Sequence, residues 1–234
     1  MKWGGKYGAD YVNRLYGMVA RRLAGPFGFL CLTDDAAGVR PEVTCAPIPA
    51  LPAYPTSPER GWAKIAAFSP TLAPLLPGPV LYLDLDVVIV GGLDALFDLP
   101  GAFPIIRDWY HPMGRIGNSS VFRYELAACR GLFEDFGRDC GAIIARHRNE
   151  QEYLTHFMRG AGALTWWPAD WCRSYRRDCT APWPLRYWRA PAAPAGSRVL
   201  VFHGEPKPPQ AIVGDRGLFS FARPAPWIAE AWRA

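Results

Sequence analysis

The chain has 234 residues and a formal net charge of +5, with half of its residues apolar and a fifth charged. That is ordinary for a globular protein with one sizeable core. No block of like charge is long enough to serve as a nucleic-acid tail, so a nucleic-acid partner is not expected, while the basic balance favours anions such as phosphates. Only four of the 26 basic residues are Lys: Lys2, Lys6, Lys64 and Lys207. Six Cys (Cys31, Cys45, Cys129, Cys140, Cys172 and Cys179) form no CxxC pair, which argues against a zinc ribbon. The start, "MKWGGKYGAD", has no apolar signal core, and no run reaches transmembrane length. The expectation is a cytoplasmic protein with reduced thiols.

In chain order, Val12, Leu15, Tyr16, Val19 and Leu23 recur at helical spacing, with Asp10 as a candidate cap and Gly25–Pro26 as the stop. "FGFLCL" (27–32) reads as a buried strand. Residues 40–60 are Pro-rich and read as loop, and a short helix starts near Gly61 with Trp62, Lys64, Ile65 and Phe68. "PVLYLDLD" is the next strand, followed by a helical piece over 93–97 and strand patterns in "FPIIRDW" and "SSVFRY". Helices are expected over 125–136 and 150–158, strands in "ALTWW" and "RVLVFHG", and a last helix in "PWIAEAW". Strands alternating with helices predict an α/β fold with a largely parallel sheet, in one domain over residues 1–234.

The stretch "VLYLDLDVVIVGG" (80–92) sets two carboxylates, Asp84 and Asp86, in a strand of apolar residues. A buried carboxylate is costly unless it is paired or bound to a metal. In open α/β sheets ligands bind beyond the C-terminal strand ends, where this pair falls. If the strand persists, both carboxylates face one side; if it ends, the turn can bring both toward one ion. Hard carboxylate oxygens suit Mg²⁺ or Mn²⁺. The plainer alternative is that one Asp caps the following helix and the other pairs with an Arg. Downstream, "RVLVF" delivers His203, an imidazole able to bind Mn²⁺ or to hydrogen-bond structurally. Gly204 lets the backbone approach a ligand closely, and Lys207 carries a charge suited to a phosphate oxygen.

Taken together, "VLYLDLDVVIVGGLDALF", "GNSSVF", "NEQEYL" and "VFHGEPKP" resemble, in order, the signature stretches of nucleotide-diphospho-sugar transferases with the GT-A fold. The resemblance is strongest to the family-8 glycosyltransferases and their bacterial relatives. It implies a single Rossmann-like GT-A domain with a mixed, mostly parallel central sheet flanked by helices. It implies Mn²⁺, or Mg²⁺, on Asp84, Asp86 and His203. Lys207 would hold the diphosphate, Lys64 a phosphate or the nucleotide, and Asp84 the ribose as well. Asn118, Ser119, Glu150 and Gln151 would position the sugar, with Asp108 a further candidate. The implied reaction moves a sugar from a nucleotide-sugar, a UDP-sugar, with retention, to a glycan, a lipid-linked intermediate or a protein.

Three features depart from the family pattern. Ser120 replaces the Gly of an Asn-Ser-Gly segment, and Glu150 replaces an Asp. Glu150 reads equally as a carboxylate complementing a helix dipole. The fold also opens with an apolar strand, for which "MKW" leaves almost no room: either that strand is vestigial or the gene start is set too late. Two other functions compete. A haloacid-dehalogenase-type phosphatase would use "DLDVV", with Asp84 as nucleophile, Asp86 as acid/base, and Lys207 and the Asp215 of "IVGD" as later motifs. A non-catalytic nucleotide-sugar-binding protein would share the fold. The Trp- and Arg-rich region 166–189 reads as an acceptor surface, a peripheral contact at the inner membrane face, or a solvated loop with core aromatics.

Overall fold

Helix α1 (Ala9–Arg22) buries Val12, Leu15, Met18 and Val19, the stripe expected from the spacing. Gly8, without a side-chain cap, is its N-cap, so Asp10 lies inside the first turn, where it complements the dipole. The computed structural model describes residues 1–51, 61–111, 115–214 and 222–234. Part of the expected Pro-rich loop and Asp215 therefore lie outside the described residues.

The strands form three sheets. β1 (Leu30–Leu32) and β2 (Thr44–Ala46) pair in parallel. The central sheet has the order β3-β6-β5-β7, from Pro79–Leu83, Gly117–Glu125, Phe103–Arg107 and Leu164–Trp166. The third, β4-β9-β8, joins Val88–Ile89, Val199–Val201 and Cys172–Ser174. The architecture is mixed α/β, as expected. Antiparallel pairings (β3/β6, β5/β6, β4/β9) are as numerous as parallel ones (β1/β2, β5/β7, β8/β9) among the described residues, so the sheets are less dominated by parallel pairs than the pattern suggested.

Two apolar cores share the strands. Tyr82 of β3 lies directly opposite Phe122 of β6, with rings stacked 4.6 Å apart. Alternation puts Tyr124 on the same side of β6 as Phe122. These residues pack with Trp62, Ile65 and Phe68, and with α3 (Arg130–Arg138) and α5 (Glu150–Gly160). Val121, on the opposite side of β6, joins a second core with α1, β4 and β9. The segment Gly61–Phe68 is a 3₁₀ helix, and the helix expected over 125–136 is a 3₁₀ turn (Leu126–Cys129) leading into α3. α2 (Asp94–Asp98) and α7 (Trp227–Ala231) fall where the pattern placed them. β2, β4, α4 (Cys140–Arg146), β8 and α6 (Pro208–Val213) were not foreseen.

One side chain locks α2 to the central sheet. The Arg123 guanidinium, on β6, donates to the carbonyls of Leu96, Phe97, Leu99 and Gly101, each at 2.7 Å. These include carbonyls that a helix end leaves without partners. Removing the donor strands several buried acceptors at once, each worth about 1–3 kcal/mol. Arg123→Met is expected to lower unfolding free energy by about 3 kcal/mol, read from urea denaturation; a loss below about 0.5 kcal/mol, the size of an ordinary surface change, would show that the carbonyls find other partners.

Candidate active site

β3 ends at Leu83, and the chain turns at Leu85–Asp86 before β4. Asp84 keeps one further sheet bond, its N–H donating to Ser120 C=O at 2.9 Å. Because β6 is antiparallel to β3, its N-terminal end, with Asn118 and Ser119, lies beside Asp84. A register shift between Ile105 and Ile106 of β5 falls opposite this same end of β6. Helix α5 brings Glu150 and Gln151 to the same place. It starts there because Asn149 caps it, accepting the Glu152 N–H at 3.1 Å.

Lys64 joins these three elements. Its ammonium lies 2.8 Å from Asp84 Oδ1 and 3.7 Å from Glu150 Oε1, and donates to Ser119 Oγ at 3.1 Å and Ser119 C=O at 3.2 Å. Ser119 Oγ in turn donates to Glu150 Oε1 at 2.8 Å. Burial pulls the Lys64 pKa down, but Asp84 and Glu150 outweigh it, and the net shift is upward. Lys64 is therefore a charged ammonium at neutral pH. Gln151 Oε1 accepts the Ser119 N–H at 3.4 Å, and Asn118 Oδ1 accepts the Ser120 N–H at 3.0 Å. Gly61 allows this packing, since a Cβ there would stand 2.5 Å from Glu150 Oε2. Glu150 thus both opens a helix and belongs to the cluster.

Asp86 belongs to a second cluster. Lys207 Nζ lies 2.5 Å from its Oδ2, and the Tyr7 hydroxyl donates to the same oxygen at 2.7 Å. Lys207 also donates to Phe202 C=O at 3.1 Å. Burial and the Asp86 charge push the Tyr7 phenol well above its usual range, so it remains a donor. The backbone reaches Lys207 through Gly204, whose φ of +69° is one that glycine adopts freely. Among the described residues neither Asp pairs with an Arg, and neither caps α2: each has its own lysine.

His203 is engaged by other partners. Its Nε2 is 2.6 Å from Ser174 Oγ, and its ring stacks on Trp109 at 5.5 Å with Tyr110 edge-on at 5.2 Å. Burial, followed by Arg176, lowers its pKa, so the ring is neutral at pH 7. Asp108 is buried nearby, holding His111 Nδ1 at 2.8 Å and accepting the Tyr110 N–H at 3.1 Å. Among the described residues, no three His, Cys, Asp or Glu side chains gather as a metal site. Asp84, Asp86 and His203 do not form one ligand set in this arrangement, because each is engaged by a different partner.

No family model matches the chain, and no curated protein does. Solved structures do. The glycosyltransferase GlyE of Streptococcus pneumoniae TIGR4 aligns over 98% of this chain and 59% of its own, at 13% identity and a TM-score of 0.61. The galactosyltransferase LgtC, in complex with donor and acceptor sugar analogs, aligns over 95% of this chain and 91% of its own, at 16% identity and 0.51. The bifunctional glycosyltransferase WbbM aligns over 86% and 44%, at 12% identity and 0.53. The chain has the fold of these glycosyltransferases. It spans little more than half of GlyE and less than half of WbbM.

Within this glycosyltransferase fold, the expected residues fall into two neighbouring groups: Lys64, Asp84, Ser119 and Glu150, flanked by Asn118 and Gln151; and Asp86 with Lys207. Tyr7, Ser174, Trp109, Arg176 and Arg177 were missed. Tyr7 carried no signal, since it lies 79 residues before the carboxylate it serves. Region 166–189 divides: Trp167 and Tyr175 are core, while Trp183 and Trp188 are 67% and 69% exposed. No helix among the described residues is long and apolar enough to cross a membrane.

Removing the Lys64 charge leaves Asp84 and Glu150 facing each other without a cation. Breaking a buried pair in this way costs about 3–5 kcal/mol. Lys64→Met is expected to destabilise the chain by about 3 kcal/mol in chemical denaturation, with Lys64→Arg recovering part of the loss. A neutral Lys64→Met would show that water already screens the two carboxylates.

Proposed function

We propose that the chain is a glycosyltransferase that takes a nucleotide-diphospho-sugar, a UDP-sugar, and moves the sugar to a glycan, lipid-linked or protein acceptor with retention at the anomeric carbon. The observation that carries this reading is the pair of ion pairs, Asp84–Lys64 and Asp86–Lys207, where β3 ends, in a fold shared with glycosyltransferases.

The leaving group is a nucleoside diphosphate, and negative charge grows on its bridging oxygen as the glycosidic bond breaks. Preorganised cations stabilise that charge best in a site already shaped for it. Lys207, on a loop fixed by Gly204 and the start of α6, turns from Asp86 to a phosphate oxygen. Arg176 and Arg177 add positive potential around His203, where Arg177 lies over the Tyr110 ring. Lys64 holds Asp84 and Glu150 in place. Asp84 accepts from the ribose, and Asn118, Ser119, Glu150 and Gln151 hold the sugar hydroxyls. In this arrangement the lysines balance Asp84 and Asp86, and Ser174 holds His203, so a Mn²⁺ or Mg²⁺ held by these three residues would have to displace those partners. A requirement for Mn²⁺ or Mg²⁺ is the part of the proposal that chelation tests.

The phosphatase reading gains no support from the solved structures that share the fold, which are glycosyltransferases. In that reading Asp84, paired with Lys64, would be the nucleophile, and Asp215 lies outside the described residues. Release of UDP from UDP-sugars, assayed over a panel of sugars, decides between transferase, phosphatase and simple binder. Asp86→Ala is expected to cut turnover by about two orders of magnitude, with an unchanged circular-dichroism spectrum. Excess EDTA is expected to abolish turnover, and Mn²⁺ to restore it. Full activity in Asp86→Ala would defeat the site assignment; full activity in EDTA would defeat the metal requirement alone.

A further inference from the structure

The segment that joins β8 to β9 carries a loop whose two ends are tied together: the Ala192 N–H donates to Cys179 C=O at 3.0 Å. Compact surface loops with closed ends are often put to functional use. Its middle is a 3₁₀ turn, Leu185–Tyr187, and the Trp188 and Arg189 N–H groups both donate to Leu185 C=O at 3.0 Å. From outside, Arg223 donates to Trp188 C=O at 3.2 Å, and the Trp227 indole donates to Pro191 C=O at 2.9 Å. The loop is therefore held in shape by its own backbone, by α7 and by the chain just before α7.

On this fixed frame three large apolar side chains face water: Trp183, Leu185 and Trp188, with Leu185 42% exposed and both indoles more so. Clustered exposed apolar side chains mark an interaction site, where single ones need no explanation. The charges around them are all of one sign. No Asp or Glu occurs between Asp178 and Glu205, while Arg186 and Arg189 lie in the loop and Arg176 and Arg177 precede it. Asp178 is already engaged, accepting the Ser174 N–H at 2.8 Å and lying 3.5 Å from Arg173. A fitting partner is therefore anionic and also offers apolar depth. An anionic bilayer surface offers both: headgroup phosphates for guanidinium groups, and a boundary layer in which the amphipathic Trp ring is at home. A neutral glycan would engage the indoles but leave the guanidinium charges unanswered.

We propose that the loop over residues 179–192 docks the protein on an anionic lipid bilayer. Trp183, Leu185 and Trp188 enter the boundary between headgroups and acyl chains, and Arg186 and Arg189 meet headgroup phosphates. Apolar burial and charge act together here, as reversible anchoring by so small a surface requires. The loop also stands next to the candidate active site. Its neck, Cys179, ends the π-helical turn (Tyr175–Cys179) that follows Ser174, the residue that holds His203. Docking thus keeps the His203 region near the lipid surface, where a lipid-linked acceptor presents its sugar. That choice among acceptors rests on the transferase reading; the docking itself does not.

The test is flotation of the protein with vesicles of phosphatidylcholine alone and of phosphatidylcholine and phosphatidylglycerol in equal parts. Binding to the mixed vesicles is expected to be at least about tenfold tighter than to phosphatidylcholine alone, and to weaken as salt is raised. Two double variants, Trp183→Ser with Trp188→Ser and Arg186→Gln with Arg189→Gln, are each expected to lose at least about tenfold in affinity for the mixed vesicles. All four positions lie on the loop surface, so circular dichroism and Tm are expected to stay as in the wild type. Acyl-brominated lipid is expected to quench the fluorescence of the wild type more than that of the Trp variant. Equal binding to both vesicle types, or wild-type binding by both variants, overturns the proposal. So does a loop-dependent change in oligomeric state, or loop-dependent binding of a soluble acidic polysaccharide, in a protein that does not float with vesicles. UDP release from UDP-sugars is assayed without lipid, so failure of docking and failure of the transferase reading are told apart.

Discussion

The Lys64 ammonium is the contact on which the site depends. It is buried, and a buried ammonium persists only when its surroundings repay the lost hydration. Here the 3₁₀ helix supplies the cation, β3 supplies Asp84, β6 supplies Ser119, and α5 supplies Glu150. None of these elements could shift by a residue without leaving a charge alone. A single electrostatic requirement thereby sets the relative placement of four segments that are far apart in sequence. The stacked core of Tyr82, Phe122 and Phe68 lies beside it and gives the cluster a rigid apolar floor.

The second carboxylate is held differently. Asp86 and Lys207 meet on a turn and a loop, not on three regular elements. Lys207 keeps a long flexible stem and can exchange Asp86 for a phosphate oxygen at little conformational cost. The first pair is thus suited to shaping the site and the second to meeting an anion. The neutral His203, held by Ser174 between two aromatic rings, orders the loop that carries Lys207.

Much of this was legible in the sequence because the signals are local. A run of strand formers ending in Asp84 and Asp86 marks the end of β3. Asn149 before Glu150 marks a capped helix, and Gly204 after "RVLVF" marks a strand end followed by a turn. What escaped was pairing across distance. Lys64 lies 20 residues from Asp84, and Lys207 lies 121 from Asp86, so nothing local says which lysine serves which carboxylate. The very short strands β4 and β8 escaped for another reason. Two or three residues are too few to show a period, and such strands exist because a neighbour supplies the ladder.

The most direct measurement is calorimetric titration of UDP, in the presence of Mn²⁺, into the wild-type chain and into Lys207→Met. If a diphosphate takes the second lysine, UDP binds the wild type and UMP binds it more weakly. Loss of one charge-assisted bond then weakens UDP in Lys207→Met by at least about tenfold. UDP and UMP binding equally, or UDP affinity unchanged in Lys207→Met, would contradict the account.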